Sequence, residues 1–138
     1  MTSFRAASGL EIIPRRECVL LLAGRKVGRL GFVIDGQPLV FPVNYAVQGD
    51  IVVFRTGEGS KLEAARGTRV AFEVDDVDEG TGRGWSVLVQ GVAEAIAGTG
   101  DWFDERLRAT AGPTWIPGPA DHYIRVTPSV ISGRRLPA

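Results

Sequence analysis

Within the stretch FRTGEGSKLEAARG, residues 54–67, positions 55–61 bring a guanidinium, two hydroxyls, an ammonium and two glycines together. Arg55, Thr56, Ser60 and Lys61 are donors suited to an anion. Gly57 and Gly59 lack the side chains that would hold a bulky phosphoryl group away from the backbone amides. Ser60 followed by Glu63 is an S-x-x-E capping box, which predicts a helix that starts near Lys61 and ends at Gly67. The first turn of such a helix would add amide donors and the positive end of a dipole. The loop is not a nucleotide-triphosphate loop, because G-x-x-x-x-G-K-[ST] is absent. G-x-G-x-x-G fails because Leu62 stands at the third glycine position. Two readings stay open at this point: a phosphate cradle, or a capped turn with a solvated Lys61.

FPVNY, residues 41–45, is the second stretch with chemical content. Pro42 removes a ladder donor, so its strand is predicted to be interrupted or at a sheet edge where Asn44 offers both a donor and an acceptor. The polar edge of a flat heterocycle could bond Asn44 and the free backbone groups around Pro42 and Val43. An edge strand with a surface Asn44 is the alternative.

Other side chains carry less. The single Cys18 lies in RRECVLLLAG and reads as a small buried hydrophobe. With one Cys and one His in the chain, no transition-metal cluster of known spacing exists. His122 reads as a surface or structural residue, with a haem-ligand role as the competing idea. The acidic run Asp75, Asp76, Asp78 and Glu79 does not meet the spacing of a calcium loop and reads as solvated.

The elements that must position these residues follow from periodicity and punctuation. Pro14 and Gly24 bracket a short helix with Cys18, Leu21 and Leu22 on one face. VGRLGFVI, LVFPVNYAV and IVVFR read as three antiparallel strands separated by the turn signals DGQP and QGD. RVAFEVD and WSVLVQGVAEAIA read as two more. DWFDERLRATAG reads as a helix with Trp102, Phe103 and Leu107 at helical spacing, and RVTPSVISGRRL returns to strand. GPTWIPGPA, with three prolines, is expected to be an ordered loop or a lid. Five or six antiparallel strands favour a closed or nearly closed barrel, because closure removes the edges.

Composition narrows the class. The 138 residues suit one domain; hydrophobic residues at 44% and charged residues at 23% fit a packed protein rather than a disordered one. Sixteen basic residues balance sixteen acidic ones, so no overall field draws the chain to nucleic acid or an anionic membrane. No apolar run approaches the roughly 18 residues of a membrane span, and no signal peptide is evident, so a cytoplasmic protein is expected.

Taken together, LVFPVNYAVQGDIVVFRTGEGSKLEAA and VAFEVDDVDEGTGRGWSVLVQGVAEAI resemble the flavin-binding split-barrel family named for pyridoxamine 5′-phosphate oxidase. The resemblance implies one mainly β (α+β) domain over residues 1–138, a six-stranded antiparallel split β-barrel with two to three short helices. It implies FMN as cofactor, with the deazaflavin coenzyme or haem as alternatives held by related barrels. By position, Arg55, Thr56, Gly57, Ser60 and Lys61 look like phosphate contacts, and Pro42, Val43 and Asn44 look like ring contacts. The family's homodimers hold cofactor at the interface, so Trp85 and Ser86 look like contacts to the cofactor of the other subunit. Arg134 and Arg135 do not reproduce the basic motif with which the vitamin B6 oxidases hold substrate phosphate. The expectation is an FMN-dependent oxidoreductase of another small molecule, or a non-catalytic flavin-binding, storage or sensor protein.

Overall fold

A computed structural model describes residues 4–5, 9–60, 62–98, 100–115 and 117–136. The elements are β1 (Phe4–Arg5), β2 (Glu11–Ile13), α1 (Arg15–Ala23), β3 (Val27–Ile34), β4 (Gln37–Asn44), β5 (Ala46–Gln48) and β6 (Ile51–Thr56). A 3₁₀ turn at Glu63–Ala65, β7 (Arg69–Val77), β8 (Gly84–Ala95), α2 (Trp102–Thr110) and β9 (His122–Leu136) complete them. No helix among the described residues is long and apolar enough to cross a membrane.

All pairings are antiparallel and run β4-β3-β7-β8-β9-β6-β5. Because Tyr45 alone separates β4 from β5, this path returns to its start. Six walls therefore enclose the core, with β4 and β5 as the two halves of one. The structure departs from a plain six-stranded count in two ways. LVFPVNYAV breaks into β4 and β5 because Tyr45 leaves the ladder: its N–H donates to Lys26 O at 3.1 Å, and its buried hydroxyl donates to Leu22 O. Short β1 and β2 also extend the sheet beyond β9, where Glu11–Ile13 register with Arg135–Gly133.

Local chemistry accounts for the joints. Asp35 and Gly36 both have positive φ, 51° and 75°, as a two-residue I′ hairpin loop requires. The β8–β9 ladder shifts register at Gln90/Gly91, where a Cβ on Gly91 would lie 2.0 Å from Thr127 O. Pro128 sits at that irregularity, where a missing N–H is tolerated. Helix α1 is flanked by Pro14 and Gly24 at its cap positions and buries Cys18 and Leu22, one turn apart. The Cys18 thiol approaches Ile13 O at 3.5 Å, and burial raises its pKa.

The main core fills the barrel. Gly28 leaves room for the Phe72 ring, which meets Tyr45 edge-on at 4.8 Å between centroids. A second cluster of Val53, Ile96, Leu107 and Ala111 fixes α2 to the outside of β6. Asp101 caps α2, accepting from the N–H groups of Phe103 (2.8 Å) and Asp104 (3.1 Å). The buried stripe of this helix is Leu107 with Ala111, one turn on. Trp102 and Phe103, expected beside Leu107, are exposed, and Trp102 carries Arg106 over its ring instead.

Candidate functional site

The loop after β6 forms by local chemistry. Ser60 Oγ accepts from Glu63 N–H at 3.1 Å, and Glu63 Oε2 accepts from Gly59 N–H at 2.5 Å, so both halves of the expected capping box are used, the second one residue early. Glu63 Oε1 also faces His122 Nδ1 at 3.3 Å and Arg66 at 3.8 Å. The expected helix is cut to one 3₁₀ turn. Gly67, at φ 81°, donates to Ala93 O and Thr68 O accepts from Ala93 N–H, which pulls the chain into β7. A turn of three residues supplies no helix dipole, so that part of the anticipated cradle is lost. Lys61 lies outside the described residues.

Arg55 and Thr56 end β6, opposite Tyr123 and His122 of β9. Thr56 is buried at 4% exposure, and its Oγ1 meets Ser60 Oγ at 2.5 Å, so the two hydroxyls form one polar corner. Arg55 reaches away from the barrel, over the Tyr123 ring at 5.2 Å. Its Nε donates to Ala120 O at 3.0 Å and its Nη1 to Gly112 O at 3.3 Å. Both carbonyls belong to the segment joining α2 to β9, residues 111–121. The same segment seats Pro119 O on Gly57, where an added Cβ would lie 2.9 Å from it. A hollow of about 220 Å³ lies between Arg55, Thr56, Gly57 and Ser60 on one side and Thr114 and Pro119 on the other.

Asn44 lines a second hollow, of about 400 Å³, with Arg25, Lys26, Val47, Pro113 and Trp115. Its Oδ1 accepts from Trp115 N–H at 2.8 Å. Pro42 is exposed on β4, which ladders with β3 alone, so the edge position expected of it is met. Val43 is buried at 4% exposure among the barrel side chains, and its side chain has no access to a ring beside Asn44. The structure thus brings Asn44, Arg55, Thr56, Gly57 and Ser60 to one rim of the barrel, bridged by the 111–121 segment.

Trp85 and Ser86 are elsewhere. On β8 they register with Arg135 and Arg134, at the far end of β9 from Arg55. There they line a hollow of about 210 Å³ with Leu10, Val77, Arg134 and Leu136. Ser86 also borders a hollow of about 310 Å³ with Glu73 and Ser132. Arg135 is committed to Glu17 at 2.7 Å and Glu11 at 3.8 Å.

The profile of the pyridoxamine 5′-phosphate oxidase family matches residues 14–135. This chain belongs to that family. Among its relatives is Rv0080 of Mycobacterium tuberculosis, 30% identical over 91% of this chain and 85% of its own length. Among solved structures, an FAD-binding protein from Mycobacterium smegmatis is 38% identical at a TM-score of 0.77, covering 91% of this chain and 99% of that one. Another FAD-binding protein, from Mesorhizobium loti, is 28% identical at a TM-score of 0.73, covering 93% and 99%. The mainly β split barrel is thus the fold of this oxidase-family chain, as the motifs around Asn44 and Arg55 imply.

Sequence reasoning missed the closest partners of those motifs. Trp115 N–H, Gly112 O and Ala120 O are backbone groups, which leave no residue signature. The density of proline and glycine in GPTWIPGPA was the available signal, and it marked order without saying against what the segment rests.

Proposed function

We propose that the chain binds a flavin nucleotide and acts as an oxidoreductase on a small molecule. In this reading Arg55, Thr56 and Ser60 hold a phosphate, and Asn44 holds the polar edge of the ring. The observation that carries the reading is a match of sign. Arg55 spends two donors on carbonyl oxygens, and phosphate oxygens are stronger acceptors of the same kind. Asn44 Oδ1 accepts from an N–H, and the polar edge of a flavin ring presents an N–H between two carbonyls. The residues at the rim therefore fit the group.

FMN is the nucleotide proposed. FAD carries the same phosphate and ring, and the relatives named FAD-binding make it the first competitor. The deazaflavin coenzyme shares both recognition features. Haem is the weaker alternative, since His122 is engaged by Glu63 and does not line the Asn44 hollow. Bound flavin supplies hydride or electron transfer by itself; the chain's part is to bind it, orient it and exclude water.

The proposed assembly is a homodimer with cofactor at the interface. Arg55 and Trp85 register with opposite ends of β9, so one chain does not bring them to one ring, whereas two copies can. Pyridoxamine phosphate is not the proposed substrate, because Arg135 is held by two carboxylates.

Adding FMN or FAD to concentrated protein, desalting and recording the visible spectrum tests the reading. A retained flavin band is expected, and oxidation of NADH or NADPH by the loaded protein separates an oxidoreductase from a flavin-holding protein. A Soret band after haem addition with no flavin retention would replace flavin with haem.

A further inference from the structure

We infer that residues 111–121 are a strap that occupies the cofactor's place and must leave the rim for the cofactor to bind, an inference that rests on the flavin reading above. The strap touches the two sides of the proposed site with groups of the ligand's own kind. Gly112 O and Ala120 O take the Arg55 guanidinium, Trp115 N–H takes Asn44 Oδ1, and Pro119 O lies against Gly57. It also stands between the hollow at Thr56 and the hollow at Asn44, contributing Thr114 and Pro119 to one and Pro113 and Trp115 to the other.

What holds the strap is replaceable. Each described residue from 112 to 119 except half-buried Thr114 is exposed, and the Trp115 side chain, the largest available anchor, is 69% exposed. The segment therefore gains little from the hydrophobic effect and rests on hydrogen bonds from Arg55 to neutral carbonyls and from Trp115 N–H to the Asn44 amide, which a phosphate and a ring edge can exchange for equal or stronger ones. Its ends are firm. Thr110 bonds Gln48 at 3.0 Å, Ala111 is buried with Leu107, and His122 enters the β6 ladder. Gly112 and Gly118, at φ 66° and 98°, are the points of backbone freedom, and Pro113, Pro117 and Pro119 stiffen what lies between and beside them. A segment with two hinges, fixed ends and its largest side chain exposed is built to swing.

If the strap competes with the cofactor, apparent affinity is the intrinsic affinity multiplied by the fraction of chains with the strap open. Gly118→Ala tests this. A Cβ there meets nothing within 4 Å, yet φ 98° strains it, so the substitution penalises the closed strap without touching the proposed ligands. Titration of FMN, and separately FAD, is expected to show binding about fivefold or more tighter in Gly118→Ala. Hydrogen exchange of the Trp115 amide in the wild-type chain is expected to speed up when FMN is added. Weaker or unchanged binding in the variant, or slower exchange with FMN, would overturn the strap and leave the flavin reading standing. Binding of neither nucleotide to either protein would overturn both.

Discussion

The two ends of β9 are finished in opposite ways. At the His122 end, the candidate ligand groups meet the chain's own atoms: Arg55 meets two carbonyls and an aromatic face, Thr56 meets Ser60, Asn44 meets a backbone N–H. At the Arg135 end the chain leaves apolar surface open around a small hollow. Val77 is 49% and Leu136 43% exposed beside half-buried Trp85. Exchangeable hydrogen bonds suit a site that trades its own backbone for a ligand. Contiguous apolar surface is satisfied only by another surface, which the homodimer proposed above would supply.

The largest expected effect breaks the comparison at the Arg135 end. Leu136→Asp places a charge where the partner would bury it, and an unpaired buried charge costs at least about 3 kcal/mol, or roughly a hundredfold in dimer dissociation. Leu136 is exposed in the single chain, so the variant is expected to fold and to sediment as a monomer. Wild-type sedimentation as a monomer, or a variant that remains dimeric, would remove this face from the interface.

A smaller effect is expected at the rim. Charge-assisted bonds from Arg55 to a phosphate are worth about 1.5–3 kcal/mol, and releasing the strap's two carbonyls returns part of that. Arg55→Ala is therefore expected to weaken FMN binding by about tenfold, measured by titration. Affinity unchanged by the substitution would mean that Arg55 serves only the strap and Tyr123.

How much of this was legible depended on range. The I′ turn at Asp35–Gly36, the capping of α1 and the Ser60–Glu63 reciprocity are settled within a few residues, and all three could be read from the chain. The inward position of Val43 was also open to reading, since strict alternation from exposed Pro42 puts it inside and Asn44 outside. The break at Tyr45 and the strap depend on partners far away. Tyr45 answers to Leu22 and Lys26, Asn44 to Trp115, and Arg55 to Gly112 and Ala120. In each pair one partner is a backbone group that any residue carries, so no residue type records the contact. The motif marked which residues could bind a ligand and was silent on what binds them in its place.

The smallest expected effect reads the outer sheet face next to the Arg135 end. Glu73 lies in register between Arg29 of β3 and Leu88 of β8, and its Oε1 is buried with no hydrogen-bond partner among the described residues. Burial first, then the hydrogen bond and charge of Asp75, push its carboxyl up to about 7, against the opposing pull of Arg29 at 3.6 Å. The unfolded carboxyl titrates near 4.3. The folded chain thus holds this proton more tightly, and the stability tied to it is full below about pH 4 and is lost as pH rises through about 7. The side chain is a third exposed, so solvent screening keeps the loss to roughly 1 kcal/mol. Urea unfolding at pH 5 and pH 8 is expected to show the decline in wild type and a flatter profile in Glu73→Gln, which keeps the shape and cannot ionise. An equal decline in both would assign the pH dependence to other groups. Because Glu73 shares a hollow with Ser86 and Arg134, a partner covering that face would deepen its burial. Dimer dissociation rising with pH in wild type but not in Glu73→Gln would then tie the acid to the same surface that Leu136→Asp disrupts.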